Sequence, residues 1–286
     1  MDVIVVCHTE FGEVRNRQVV ATRDTEGVVA GVSNLAEVAD RYGAKITYAV
    51  CPEVVPYFPK GVNGEIGLHI HPGRGTYRKE GIEFTIGDVF LRKYCKQSSN
   101  STVLRDYSFS EQMEMIRMGR NYLENMLGVQ PKSFVAGRWS VNNDTITALT
   151  TTGFTHDCSA VPSRKDKHFD WSKLPRQCMP YHPSSIDYQE QGDCPLLILP
   201  ISQIWLIGGC ANPEIARQYT VNWLKLCFAE YHWRKRPLFH ICLHSPCMRD
   251  PYYIGAMEEL LAFTANHDNV EFKFASEIKD RVGSSS

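Results

Sequence analysis

Two histidines separated by one residue close an apolar run in "EIGLHIHPG" (residues 65–73), just before a Pro-Gly turn. In a β-strand alternate side chains share a face, so His69 and His71 point the same way, one pleat apart. The same spacing recurs in "VIVVCHTEFG" (residues 3–12), which puts His8 and Glu10 just past another apolar run. Three further runs end in polar residues: Arg138 in "FVAGRWS", Asp157 in "FTHDCS" and His244 in "HICLHSP". Taken singly, each has a plainer reading, as a wet strand-end histidine, a solvated turn acid or a surface arginine. Five strand ends delivering such residues to one rim favour a shared site. Two neutral imidazoles and a carboxylate form the open three-ligand set of a catalytic divalent ion, so Glu10, His69 and His71 are the expected ligands of one metal, with zinc expected. A water in the open position would have its pKa lowered to about 7, which suits hydrolysis.

Positioning these residues requires strands that end on one side. Strand patterns fall at 3–7, 45–50, 66–71, 133–136, 154–158, 196–201, 238–244 and 270–274, with helical patterns between them. Alternation of this kind predicts βα units around a parallel sheet, and seven or eight units predict a (β/α) barrel, regular or distorted. "VSNLAEVADRYG" (32–43) carries Leu35, Val38, Ala39 and Tyr42 at helical spacing and stops at Gly43, suited to a left-handed cap. A second helix is expected over 110–128, capped by Ser110, with Met115, Met118, Tyr122 and Met126 as a core-facing stripe. Irregular stretches rich in Pro, Ser and polar residues at 72–109 and 159–195 follow strand ends, where active-site loops of such folds belong. No repeat or linker divides residues 1–286, so one catalytic domain is expected.

Composition narrows the function classes. With 31 Lys+Arg against 32 Asp+Glu, the net charge of −1 provides no broad attraction to nucleic acid or anionic membrane. No apolar run approaches the roughly 20 residues that span a bilayer. "MDVIVVCHTEFG" has an acidic residue at position 2 and too short an apolar segment for a signal peptide, so a cytoplasmic protein is expected. Ten scattered cysteines without a C-x-x-C pair are then read as free thiols, not as a structural zinc module.

The ordered set of motifs resembles the polysaccharide deacetylase family (the NodB-homology domain), and more narrowly its WbmS-like branch, associated with bacterial surface-polysaccharide clusters. The resemblance runs from Val3 to about Ile278. "NLAEVADRYGAKITYAVCPEVV" looks like the helix leading into the second strand of these enzymes, and "NGEIGLHIHPG" like their metal-binding histidine motif. "FVAGRWSVNNDT" resembles the arginine motif, "GFTHDCS" the aspartate motif, and "HICLHSP" the final histidine motif. The resemblance implies a distorted barrel with a metal near its C-terminal mouth and hydrolysis of an N-acetyl or other N-acyl group on a sugar, with surface-polysaccharide (O-antigen) biosynthesis as the setting. On matching positions it makes Glu10, His69 and His71 metal ligands, His244 the acid protonating the departing amine, and Arg138 a residue that orients or tunes the site.

Two departures stand out. The family begins with adjacent aspartates, one a base and one a ligand, whereas this chain reads "HTEF"; His8 or another carboxylate would have to replace the base. The family spaces its histidines four apart, and here Gly73 occupies that place. Trp139, Trp171, Trp205 and the tyrosines within 181–188 are candidates for stacking on sugar rings, with core packing as the alternative. Asp24 is a candidate substrate contact or replacement base, or a simple turn aspartate. Other readings are an amidohydrolase-type metal hydrolase, which places its H-x-H on the first strand, a cupin-like oxygenase, which the helices oppose, and a sugar-binding deacetylase domain that has lost its base.

Overall fold

The computed structural model describes residues 1–79, 82–204, 209–215 and 220–280. In chain order the strands are β1 (Asp2–Thr9), β2 (Glu13–Arg15), β3 (Gln18–Val20), β4 (Ile46–Val50), β5 (Glu65–Ile70) and β6 (Gly75–Lys79). They continue as β7 (Ile82–Ile86), β8 (Ser133–Ala136), β9 (His156–Asp157), β10 (Leu197–Ile198), β11 (Leu238–His244) and β12 (Glu271–Phe272). One sheet runs β10-β9-β8-β5-β4-β1-β11, with β12 also pairing with β1, and every pairing in it is parallel. All eight strand patterns read from the sequence occur, most of them one to three residues shorter at an end. Between β10 and β11 no ladder forms among the described residues. Ser202 N–H instead donates to His240 O (3.1 Å) and Cys242 N–H to Ala211 O (3.0 Å), so an irregular segment closes the gap. The architecture is the expected distorted (β/α) barrel.

Strand parity explains where the polar rim comes from. All eight residues of β1 are buried, as a strand covered on both faces requires. Val3, Val5 and Cys7 pack outward with Val28, Val32 and Leu35, whereas Ile4 and Val6 join Ala49, Val135, Leu197, Leu238, Ala275 and Ile278 in an inner cluster. That cluster plugs the barrel below the site. One more step along the inner face of β1 is His8.

Among the described residues the α-helices are α1 (Glu26–Arg41), α2 (Val89–Tyr94), α3 (Phe109–Leu127), α4 (Asn143–Thr151), α5 (Val221–Trp233) and α6 (Pro251–Ala265). α1 begins six residues before its apolar pattern does, and Gly43 follows it at φ +62°, as expected. The cap of α3 is Ser108, not Ser110: Glu111 reaches back to the Ser108 backbone N–H (3.0 Å) and hydroxyl (2.7 Å). Its stripe holds at Met115, Met118 and Tyr122, but Met126 is exposed because the last turn projects past the core. Two antiparallel hairpins, β2–β3 and β6–β7, were not legible in the sequence. The first turns on Asn16 and Arg17, both at positive φ without a glycine, which leaves the usual hairpin signal silent. No described helix is long and apolar enough to cross a membrane.

Candidate active site

A cleft of about 570 Å³ opens at the C-terminal ends of the strands, and His8, Glu10, His69, His71, Arg138, Trp139, Glu214 and His244 line it. Strand register places four of them, His8, Glu10, His69 and His244. Val5 to Thr9 of β1 pair with Ile46 to Val50 of β4, and Thr47 to Val50 pair with Glu65 to Leu68 of β5. Extending both ladders by one residue sets Glu10, Cys51 and His69 in one row across three adjacent strands. On the other flank His8 pairs with His244.

Glu10 sits at the centre. Its Oε2 is 3.2 Å from His71 Nε2 and 3.7 Å from His69 Nε2, and its Oε1 is 3.9 Å from His244 Nε2. His69 Nδ1 donates to the Val135 carbonyl (2.9 Å), which fixes the tautomer and leaves Nε2 as a lone-pair donor facing Glu10. His69 is 1% exposed, yet His69 Nε2, His71 Nδ1 and His8 Nε2 are buried without a hydrogen-bond partner. Buried polar atoms are normally satisfied, and His69 Nε2, unpartnered and facing Glu10 beside His71 Nε2, has the chemistry of a cation ligand. Cys51 belongs to the same constellation: ligand atoms of Glu10, Cys51 and His69 lie within 4.8 Å of one another.

The electrostatics follow from burial and neighbours. Burial opposes charge on Glu10, but the adjacent His69 and His71 imidazoles outweigh it and hold the carboxyl well below its ordinary range. Burial, followed by the His244 and His69 imidazoles, keeps His8 well below its usual value and therefore neutral. His71 is likewise lowered by burial, against the pull of Glu10. His244 differs. Burial acts against its charge, but Glu214, through its charge and its hydrogen bond, together with Glu10, raises it to about 9. Glu214 Oε1 accepts from both His244 Nδ1 (2.7 Å) and the His244 backbone N–H (3.1 Å), which aims Nε2 into the cleft.

The far wall is strained. Arg138 and Trp139 follow β8 with φ of 55° and 53°, consecutive left-handed residues that turn both side chains into the cleft. Arg138 Nη1 lies 2.8 Å from His168 Nε2, while Arg138 Nε and Trp139 Nε1 are buried and unpartnered. Gly137 makes room for His71: a Cβ there would stand 2.5 Å from His71 Nδ1 and 2.5 Å from Ile70 O.

The structure thus brings together Glu10, His69, His71, His8, His244, Arg138 and Trp139. Asp157 does not line the cleft. Its carboxylate accepts from Ser159 Oγ (2.6 Å), whose oxygen accepts from Ala136 N–H (2.8 Å), pinning β8 to β9 beneath the rim. Burial, against the Ser159 bonds, pushes Asp157 up to about 7. Asp24 also lies off the cleft, paired with Arg249 (2.5 Å). Trp171 is fully buried and donates to Trp139 O (3.0 Å), so it supports the wall from behind. Tyr181 and Tyr188 tie the 159–195 loop together, since Tyr181 Oη donates to Tyr188 O (2.7 Å). Trp205 lies outside the described residues. Sequence reasoning missed Glu214, which arrives on an irregular segment with no periodicity. It also missed Cys51, although parity from Ala49 points its side chain inward.

No protein-family model matches the sequence, and no curated protein matches it. Solved structures do. A protein named as a polysaccharide deacetylase from Mycobacterium smegmatis is 17% identical with a TM-score of 0.61, over 96% of this chain and 88% of that one. The fold is that of the polysaccharide deacetylases. One from Pseudomonas aeruginosa PAO1 gives 16% and 0.60 over the same shares, and a PuuE allantoinase gives 15% and 0.60, again over 96% and 88%. Identities this low carry the fold and leave the chemistry to the site.

Proposed function

We propose that this chain is a metal-dependent hydrolase that removes an N-acetyl or other N-acyl group from a sugar. What supports the reading is that His69 Nε2 and His71 Nε2 both face Glu10 Oε2, beside His244, whose Nδ1 is held by a second carboxylate, Glu214. A divalent ion held by these three residues, expected to be zinc, would polarise the amide carbonyl and activate a water. His244 Nε2, aimed by Glu214, would protonate the departing amine, as general acids do within hydrogen-bond reach. Neutral His8, with Nε2 unpartnered, replaces the carboxylate base that the deacetylase motif carries and can accept a proton from the attacking water. Arg138 contributes positive charge to the wall, and Trp139 supplies an aromatic face for the sugar ring.

The substrate class extends to a surface-polysaccharide precursor in the cytoplasm, a reading supported by the sequence resemblance. An amidohydrolase-type arrangement is less well supported, because the H-x-H pair closes β5 and not the first strand. A second reading has a specific motivation: without an aspartate beside Glu10, the cleft could bind N-acylated sugars without turnover.

The test is amine release from N-acetylated nucleotide-sugars and N-acetylated oligosaccharides by zinc-loaded protein, with bound metal quantified. Turnover that requires the metal supports the hydrolase. Sugar binding without amine release selects the binding domain, and absence of both overturns the proposal.

A further inference from the structure

We propose that Cys51 is a ligand of the ion that Glu10 and His69 hold, making the centre a mixed carboxylate–imidazole–thiolate site. This inference rests on the metal reading above and deepens it. The placement comes first from the ladders. Thr47 and Ala49 alternate with the outward residues Ile46, Tyr48 and Val50 of β4, so Cys51, one step past the strand, returns to the inner face. Its backbone N–H donates to Thr9 O (3.0 Å), which continues the β1–β4 ladder and holds Cys51 level with Glu10. Level with both, from the other side, stands His69.

The distances agree. One ligand atom from each of Glu10, Cys51 and His69 lies within 4.8 Å of the other two, a span that small side-chain adjustments bring to a common ion. A second observation is independent of the cysteine: His69 Nε2 is buried, unpartnered and aimed at this spot, because Nδ1 is committed to Val135 O. A buried cysteine ordinarily serves as a small hydrophobe. Cys51 fills that role on one side, where it packs with Val50 and Val54, but its other side faces a recess lined by Glu10, Arg23, Glu53 and His71. Cys7, in contrast, faces outward into apolar packing with Val28 and Val32.

On coordination the Cys51 S–H bond breaks, its proton leaves to water, and the sulfur pair forms the metal bond. A thiolate changes which metal the site prefers. Imidazole plus thiolate favours zinc and related borderline ions, whereas carboxylate with oxygen donors suits magnesium or manganese.

Zinc K-edge X-ray absorption on the full chain, reconstituted with one equivalent of zinc, tests this. A sulfur shell at about 2.3 Å beside nitrogen and oxygen at about 2.0–2.2 Å is expected, with the sulfur lost in Cys51→Ser and retained in Cys7→Ser. Zinc bound with nitrogen and oxygen alone would overturn the inference while leaving the Glu10, His69 and His71 centre intact. A sulfur shell that persists in Cys51→Ser would overturn it too, by assigning the sulfur to another cysteine. Failure to bind zinc at all would remove the metal reading itself. Should Cys51→Ser not fold, Cys51→Ala takes its place. Should neither fold, the parent spectrum decides, since among the described cysteines only Cys51 belongs to a ligand cluster.

Discussion

Gly137→Ala is the sharpest probe of how the site is held. An added methyl would meet His71 Nδ1 at 2.5 Å, His71 Cε1 at 2.6 Å and Ile70 O at 2.5 Å, where 3.4–4 Å is ordinary contact. The overlap approaches an ångström on each side. Ile70 O belongs to the strand that pairs with β8 at Ile70–Ala136, so it yields only by disturbing that ladder. The imidazole yields instead, and with it the 3.2 Å approach to Glu10. Overpacking of this kind costs about 1–3 kcal/mol, less a few tenths returned by the stiffer unfolded chain. Displacing one ligand should also weaken zinc by roughly 10- to 100-fold, the scale seen when the supports of metal ligands are lost. Urea unfolding of metal-free protein reads the first effect, and competition with a chelator reads the second. Gly43→Ala is the control. It has open space within 4 Å but φ +62°, so it should cost about 1–2 kcal/mol and leave zinc affinity unchanged. A Gly137→Ala protein that binds zinc as tightly as the parent would show that this wall does not hold His71.

Glu214→Gln keeps a hydrogen-bonding group beside His244 but removes the charge; kcat for amine release should fall by roughly 10- to 100-fold with zinc content unchanged. His244→Ala should lower kcat by about 10²–10⁴-fold with metal retained, whereas His69→Ala should lose metal and activity together, as metal analysis beside the assay would show. Asp157, raised from 3.8 to about 7, holds its proton more tightly folded than unfolded. Its contribution is therefore fully present below pH 4 and lost as pH rises to about 7, a decline on the order of 4 kcal/mol. Urea titrations across that range should show the decline in the parent and its absence in Asp157→Asn. Arg138→Ala should lower kcat without a comparable loss in urea stability, since the guanidinium faces the cleft and not the core.

Much of this site could be read because it is built by strands. Period-two alternation paired His8 with Glu10 and His69 with His71, and the strand end marked His244, while the roles expected of them came from the resemblance to the deacetylase motifs. Asp157 shows the limit of that reasoning. It stands at a strand end like the others, but β9 has only two residues and Ser159 folds back onto the carboxylate, so it ties strands together below the rim. Glu214 shows the converse, since a residue on a segment without periodicity announces neither its face nor its partner. Cys51 was masked by its type, because cysteine in an apolar run is ordinarily packing.

The gap between β10 and β11 bears on how His244, the proposed acid, is held. Where the other walls are ladders, this one is a length of irregular chain held to β11 by a few backbone bonds, and Glu214 sits at its end. Both hydrogen bonds of the Glu214 carboxylate go to His244, so the contact that orients this proposed acid also fastens the wall. Mortar and trigger are one carboxylate. A local opening along this edge would release His244 while the other walls, and the proposed cation ligands at the ends of β1 and β5, stay in place. Readiness of the proposed acid therefore follows the least regular part of the barrel, and slow amide exchange at Ser202 and Cys242, whose N–H groups donate across this edge, would mark the molecules in which His244 is held.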